Sequence, residues 1–367
     1  MRMISRTLRR HPIRIALVVG SLWMLVDMLT GLRDLAPLAI SNNPSSALEQ
    51  AEQRSLCQQH GWKPFHSTTW MGRPAPRRKV YDLVMVNTEL DWLEIRLNTT
   101  WNAVDYFVLV EGHRTFTSLD KPLVLKENMA KFESRYGSKI IYHEIEYPPN
   151  FNPQRTWDTE DLQRNAMYTQ VFPHLAGEQA PRFGDVIVVS DIDEIPRPET
   201  LEVLRACRFP RRLTLRSAFY YYSFQYLHRG EEWPHPQATY YQGFWRTVKP
   251  NDLRVGLGFP LTSWWDSAEL PSAAWHCSSC FGTMEELLTK MRSFAHVWMN
   301  AEEYRNKKRI ADRVRRGKDI WDRTGQIYDR VENNTDVPRF LLENPERFPY
   351  ALNRDGPTAG FTDYAGE

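Results

Sequence analysis

Four short apolar runs limit what this chain can fold into more than any other feature. They are VYDLVMVN (80–87), VDYFVLVEG (104–112), KIIYHEI (139–145) and DVIVVS (185–190). Runs of this length and composition suit strands covered on both faces. The segments between them have helical character. ELDWLEIRLN (89–98) sets Leu90, Leu93 and Leu97 at helical spacing, KENMAKFESRYG (126–137) ends on a glycine stop, and TEDLQRNAMYTQVF (159–172) follows. Strands alternating with helices predict an α/β fold: a mainly parallel sheet with helices on both faces. After about residue 210 the pattern turns to aromatic strands such as LTLRSAFYYYSFQYL (213–227), with helices expected at 283–294 and 300–316.

The chain begins in another style. Residues 1–14 carry five arginines and no acid, and the 18-residue apolar stretch Ile15 to Leu32 holds one charge, Asp27. At about 1.5 Å per residue such a stretch reaches roughly 27 Å, close to a thin bilayer core. It is longer than the apolar part of a cleaved signal peptide, about 7–15 residues. The basic flank predicts a single-pass signal anchor with its N-terminus in the cytosol. The expected layout is a cytosolic tail (1–14), a transmembrane anchor (15–32), a lumenal stem (33–79) and a folded domain (80–367). The 353 residues after the basic start carry 42 basic against 45 acidic side chains, which gives no electrostatic reason for a nucleic-acid partner. With 42% hydrophobic residues and a mean hydropathy of −0.55, the chain is neither disordered nor a polytopic membrane protein. Asn98-Thr-Thr and Asn333-Asn-Thr match the N-glycosylation triplet.

The chemistry concentrates in DVIVVSDIDEIPRPE (185–199), where an apolar strand runs straight into Asp191-Ile-Asp193-Glu194. In open α/β sheets, ligands bind beyond the carboxyl ends of strands. Two carboxylates there can hold a hard divalent ion, Mg²⁺ or Mn²⁺, with positions left for a diphosphate. The bland alternative is a solvated acidic turn with Glu194 capping the next helix. Two carboxylates at one strand end repel without a cation between them, so neutralising either is expected to stabilise the empty domain. The second motif is Trp275-His276-Cys277-Ser-Ser-Cys280. A zinc site lacks a second Cys/His pair, and a redox pair lacks a thioredoxin context. A lumenal disulfide is the favoured reading, either this tight pair or bridges to Cys57 and Cys207. Trp275 either stacks on a sugar or fills core. Among the aromatics from Phe219 to Tyr226, alternate members face core and cleft.

Together YDLVMVNTELDWLEIRLN, VDYFVLVEGHRTFTSLDKPL, DLQRN, VIVVSDIDEIPRP and AWHCSSCF, collinear over roughly residues 80–350, resemble glycosyltransferase family 17. The resemblance implies a GT-A-like, Rossmann-related fold, UDP-GlcNAc as donor, a divalent metal and a type II Golgi membrane protein. It further implies a glycan or glycoprotein acceptor, a mannose of an N-glycan joined through a β-1,4 linkage. The sequence departs from the animal members around DLQRN and through much of 210–270. Asp191 and Asp193 match the metal–diphosphate motif, and His276 is the late histidine that adds a metal or diphosphate contact or simply packs. Inversion needs one general base. Glu111 at the end of the second strand, Glu194, Asp266 and Glu269 are the candidates, and Glu111 can instead bind ribose or hold a loop through backbone N–H groups. Arg164 and Asn165 either contact the nucleotide or brace the acids. A catalytically silent glycan-binding protein of the same fold is the rival reading.

Overall fold

A computed structural model of the chain describes residues 44–65, 77–256, 263–293 and 297–366. The expected anchor lies outside the described residues, and among those residues no helix is long and apolar enough to cross a membrane. The chain divides into Met1–Glu52 and a compact body, Gln53–Glu367, in which everything below is found. Residues 53–65, read from the sequence as stem, are part of that body. Their strand β1 (Lys63–Pro64) pairs antiparallel with β7 (Cys207–Arg208), and Cys57 is disulfide-bonded to Cys207.

The four apolar runs form β2 (Val80–Met85), β3 (Tyr106–Glu111), β4 (Ile140–Glu144) and β5 (Val186–Ser190), all parallel, in the spatial order β4-β3-β2-β5. Helices α1 (Leu90–Thr100), α2 (Val124–Tyr136) and α3 (Thr156–Thr169) connect them. Because successive side chains of a strand point to opposite faces, β2 builds two cores at once. Val80, Val84 and Val86 join Trp92, Leu93 and Leu97 of α1 and Phe132 of α2, whereas Tyr81 and Leu83 join Ala166, Met167 and Tyr168 of α3. Burying each such aliphatic side chain is worth about 1.5–3 kcal/mol, which fixes the strand between the layers. Both faces are covered, as the sequence predicts.

Beyond β5 the expectation of a mainly parallel sheet fails. β10 (Gln237–Tyr240) lies antiparallel to β5, followed outward by β8 (Arg212–Tyr221), β9 (Ser223–His228) and β12 (Tyr328–Arg330), each antiparallel to its neighbour. β11 (Ser267–Ser278) runs parallel to β8 and antiparallel to the short β6 (Glu194–Pro196). The sheet is therefore mixed. A tight reversal joins β8 to β9 and makes them antiparallel, whereas β11, the parallel neighbour of β8, is reached only after a long connection. The run 213–227, read as one strand, folds back at Tyr222, whose φ is 66°. The helix expected over 300–316 is shorter, Lys307–Arg315, and begins where Asn306 caps it by accepting from the Arg309 N–H at 2.9 Å.

Both cysteine pairs are disulfides, Cys57–Cys207 and Cys277–Cys280, so no free thiol remains to bind zinc. Of the two glycosylation triplets, Asn98 sits within α1, its Nδ2 donating to the Glu94 carbonyl at 2.8 Å and to the Tyr136 hydroxyl at 2.7 Å. Asn333 is exposed.

The strand order matters most for function. From β2 the chain steps outward to β3 and β4, then returns to place β5 on the other side of β2. That reversal opens a crevice at the carboxyl ends of β2 and β5, the place where open α/β sheets bind ligands.

Candidate active site

The acidic turn stands at this crevice because its surroundings hold it there. Ile192 packs into the core, while Asp191 and Asp193 on either side of it line the crevice. The turn closes with the Glu194 N–H donating to the Asp191 carbonyl at 3.1 Å. Beneath it Arg96 of α1, fully buried, pairs with Asp82 of β2 through two bonds of 2.7 and 2.6 Å. The same guanidinium donates to the carbonyls of Asp191 at 3.2 Å and Glu194 at 2.8 Å. A buried cation thus holds the backbone that presents the acids, and removing one partner of such a pair costs about 3–5 kcal/mol.

Two cavities share Asp191, Asp193 and Lys290. The smaller, about 110 Å³, is walled by Asn87 after β2, Arg114 after β3, and Glu160 and Gln163 of α3. The larger, about 400 Å³, is lined by Phe219, Trp233, His276 and Trp321, with Glu231 and Glu232 at its wall.

Each acid of the turn faces a cation. Beyond the short helix α4 (Pro250–Arg254) lies α5 (Met284–Ser293), whose Lys290 approaches Asp193 Oδ2 to 3.3 Å. His276 Nε2 lies 3.7 Å from Asp193 Oδ1. Burial alone would raise the Asp193 pKa, but Lys290 and then His276 outweigh it and hold the carboxyl at about 2. Arg254 spans two acids. It donates to Glu194 at 2.6 and 2.8 Å and to Asp191 Oδ2 at 2.7 Å. Burial disfavours the charge on Arg254, yet Asp191 and Glu194 more than compensate and raise its pKa. The repulsion between crowded acids, expected from the sequence to destabilise the empty domain, is therefore offset by the protein's own cations.

Of the residues singled out in the sequence, the fold brings Asp191, Asp193 and His276 together. His276 stacks on Phe219 with ring centroids 4.9 Å apart, and its Nδ1 is buried without a partner. Arg164 is a brace, donating to Glu160 Oε1 at 2.6 Å and Asp191 Oδ1 at 3.4 Å. The others need correction. Glu194 is 1% exposed and held by Arg254, by the Trp233 Nε1–H at 2.7 Å and by the Asp191 N–H at 3.0 Å, so it has no oxygen free for proton transfer. Glu111 turns away from the crevice. Its oxygens accept the N–H groups of Leu125 and Lys126 at 2.9 and 3.1 Å, stabilising the amino end of α2, where partial positive charge favours a carboxylate. Asn165 accepts the Asn251 N–H at 3.1 Å and ties α4 to α3. Trp275 belongs to the core, its Nε1–H donating to Asp336 at 3.0 Å under the Arg197 guanidinium. Strand alternation explains this: on β11, His276 faces the cavity, so Trp275 and Cys277 face inward. Glu269, another candidate base, is paired bidentately with Arg216 at 2.8 Å.

Arg254 and Lys290 are the residues that sequence reasoning missed. Arg254 stands in a five-residue helix with no motif around it, and Lys290 reads as one more solvated cation on an amphipathic helix. No local signal marks either.

Among the described residues, no group of three or more His, Cys, Asp or Glu is disposed to hold a metal by itself. The donor set still fits a hard divalent ion. Such ions commonly take one or two carboxylates, keep waters and complete their shell with substrate phosphates. Asp191 and Asp193 present carboxylates on shared cavity walls, and the Nε2 of His276 stands 3.7 Å from Asp193 Oδ1.

The sequence matches the model of the family described as Glycosyltransferase family 17 over residues 7–356. The beta-1,4-mannosyl-glycoprotein 4-beta-N-acetylglucosaminyltransferase of Homo sapiens is 26% identical over 319 residues, covering 77% of this chain and 56% of the relative. The protein of the same name from Rattus norvegicus is 25% identical over 318 residues, covering 76% and 55%. The chain thus spans a little over half the length of the curated relatives it matches. A solved mannosyltransferase of Pyrobaculum calidifontis, in complex with GDP-Man and Mn²⁺, aligns over 83% of this chain and 80% of that one, at 14% identity and a TM-score of 0.31.

Proposed function

Because the chain belongs to glycosyltransferase family 17, we propose that its body is a GT-A-like, inverting, metal-dependent transferase that moves N-acetylglucosamine from UDP-GlcNAc to a mannose of an N-glycan through a β-1,4 linkage. The observation that carries this reading is the pair Asp191 and Asp193 at the strand-order reversal, shared by two cavities. The smaller cavity suits the nucleotide. The larger, with the flat faces of Phe219, Trp233 and Trp321, suits sugar rings.

Asp191, Asp193 and His276 are the residues that would hold Mn²⁺ or Mg²⁺, and a bound ion supplies charge neutralisation at the departing diphosphate. Lys290, on the wall common to both cavities, adds a fixed positive charge for the same phosphates. In a single displacement the acceptor hydroxyl attacks the anomeric carbon, its proton passes to a general base, and UDP leaves with the bonding pair. With Glu111 and Glu194 occupied elsewhere, the base belongs to the pair lining the larger cavity. Glu231 is exposed with Arg216 3.9 Å away, and Glu232 accepts the Ser272 N–H at 3.1 Å. Separate alanine variants tell which acts. The reading includes a Golgi-lumen setting with residues 15–32 as a type II anchor. Two disulfides suit an oxidising compartment.

The test is a panel of nucleotide sugars offered with N-glycan acceptors, with Mn²⁺ or with a chelator. UDP release from UDP-GlcNAc that requires both acceptor and metal is the expected result. Turnover of a different nucleotide sugar would reassign the donor. Glycan binding with no turnover of any donor would overturn the enzymatic reading in favour of a glycan-binding protein.

A further inference from the structure

The smaller cavity carries buried polar atoms that nothing in the protein satisfies. Glu160 of α3 is 7% exposed and uses one carboxylate oxygen: Oε1 accepts from Arg164 at 2.6 Å, while Oε2 has no partner. Asn87 Oδ1 is a second buried acceptor without a donor on the same walls. Buried acceptors are rarely left unpaired, because each has given up water without replacing its hydrogen bond. This cavity therefore suits a ligand that brings hydrogen-bond donors.

The chemistry of the free atom narrows the ligand group. Burial raises the Glu160 pKa and the Arg164 guanidinium opposes that; as a carboxylate oxygen Oε2 only accepts, so it offers no hydrogen bond to phosphate oxygens. A nucleoside diphosphate has donors in its ribose hydroxyls and in the N–H groups of its base. An acid near the carboxyl end of a parallel strand is suited to a ribose hydroxyl, as in dinucleotide-binding folds. Arg164 holds the other oxygen and is itself fixed by Asn251 Oδ1 at 3.3 Å, so the carboxylate is held in place before any ligand arrives. Resting on the donor reading above, we propose that Glu160 is the ribose-reading residue of the donor site, its Oε2 accepting a hydrogen bond from the 2′- or 3′-hydroxyl of the uridine nucleotide. Arg164 positions it and makes no contact with the ligand.

The experiment compares binding of UDP, 2′-deoxy-UDP and 3′-deoxy-UDP, in buffer containing Mn²⁺, by calorimetry on the wild-type protein and on Glu160→Gln and Glu160→Ala. The wild type is expected to prefer UDP over one deoxy analogue by about tenfold or more, as befits a hydrogen bond to a charged group. In Glu160→Ala that preference falls to near unity, and in Glu160→Gln it falls severalfold, because affinity for UDP drops while affinity for the deoxy analogue is retained. The ratio, rather than the affinity, is the readout, so a general loosening of the Arg164 brace does not mimic the result. Equal wild-type binding of all three nucleotides overturns the proposal without requiring that any variant fold. An unchanged ratio in folded variants overturns it as well. If the wild type binds no uridine diphosphate at all, the donor reading itself falls and this inference with it, an outcome distinct from either of the others.

Discussion

Replacing Asp193 with asparagine separates what this carboxylate does for the fold from the part proposed for it in the reaction. The substitution keeps the shape and removes one charge, which in the folded protein sits 3.3 Å from Lys290 and 3.7 Å from His276. Those neighbours lower its pKa from 3.8 to about 2. At roughly 1.4 kcal/mol per unit, the ionised form contributes about 2 kcal/mol to stability. The side chain is 14% exposed, so solvent screening removes little of this. Asp193→Asn should therefore destabilise the protein by about 2 kcal/mol at pH 7, opposite in sign to the stabilisation expected from two carboxylates considered alone. The pH dependence follows from the direction of the shift. A carboxyl whose folded pKa is depressed contributes fully above its unfolded value and loses that contribution as pH falls through the folded one, so the gap between the two proteins should be full at pH 7 and about half as large at pH 3. Urea denaturation at both pH values measures it. Turnover measured in parallel should fall by about 10²–10³. A variant as stable as the wild type at pH 7, or a gap that does not narrow at pH 3, would refute the ion-pair reasoning. Retained metal-dependent turnover would refute the role of Asp193 in the site.

Three further outcomes follow from the same structure. Arg254→Met strips Glu194 and Asp191 of their shared cation and should cost about 3–5 kcal/mol in urea denaturation, since it leaves Glu194 buried and uncompensated; an unchanged midpoint would mean that the pair contributes nothing. Cys57→Ser opens a bridge that spans 150 residues and should lower stability by a few kcal/mol, more than opening the three-residue Cys277–Cys280 bridge, and paired thermal scans of the two variants decide the order. His235 is held near pKa 4, first by burial and then by Arg254. It stays neutral in the folded state while the unfolded chain protonates at its ordinary 6.5, so stability should decline as pH drops from 6.5 toward 4, and His235→Gln should flatten that slope in urea midpoints.

The strands of the parallel half were legible because burial on both faces writes itself into consecutive residues. VYDLVM, YFVLVE, IIYHE and VIVVS start and stop within one or two positions of the apolar runs. The acidic turn was legible for a similar reason, since Asp191 and Asp193 are contiguous with the strand that presents them. Glu111 was correctly read at a strand end, but where its carboxylate points depends on α2, whose amino end claims it. Trp275 and His276 are neighbours with opposite fates, and only the pairing of β11 with β8 and β6 decides which faces the cavity. The run 213–227 reads as one strand because the reversal at Tyr222 carries neither a glycine nor a proline.

By itself, then, the sequence determined the alternating strands and helices, the strand that ends in two carboxylates, and the family. Those depend on side-chain patterns repeated over a few adjacent residues. Only the tertiary structure decided the charge balance of the site, the course of the disulfides and the walls of the two cavities. Arg254 reaches Glu194 across 60 residues, Lys290 reaches Asp193 across 97, and Cys57 meets Cys207 across 150. Electrostatic and covalent partners act through space, and distance in space is set by how the layers pack, which no local stretch of the chain records.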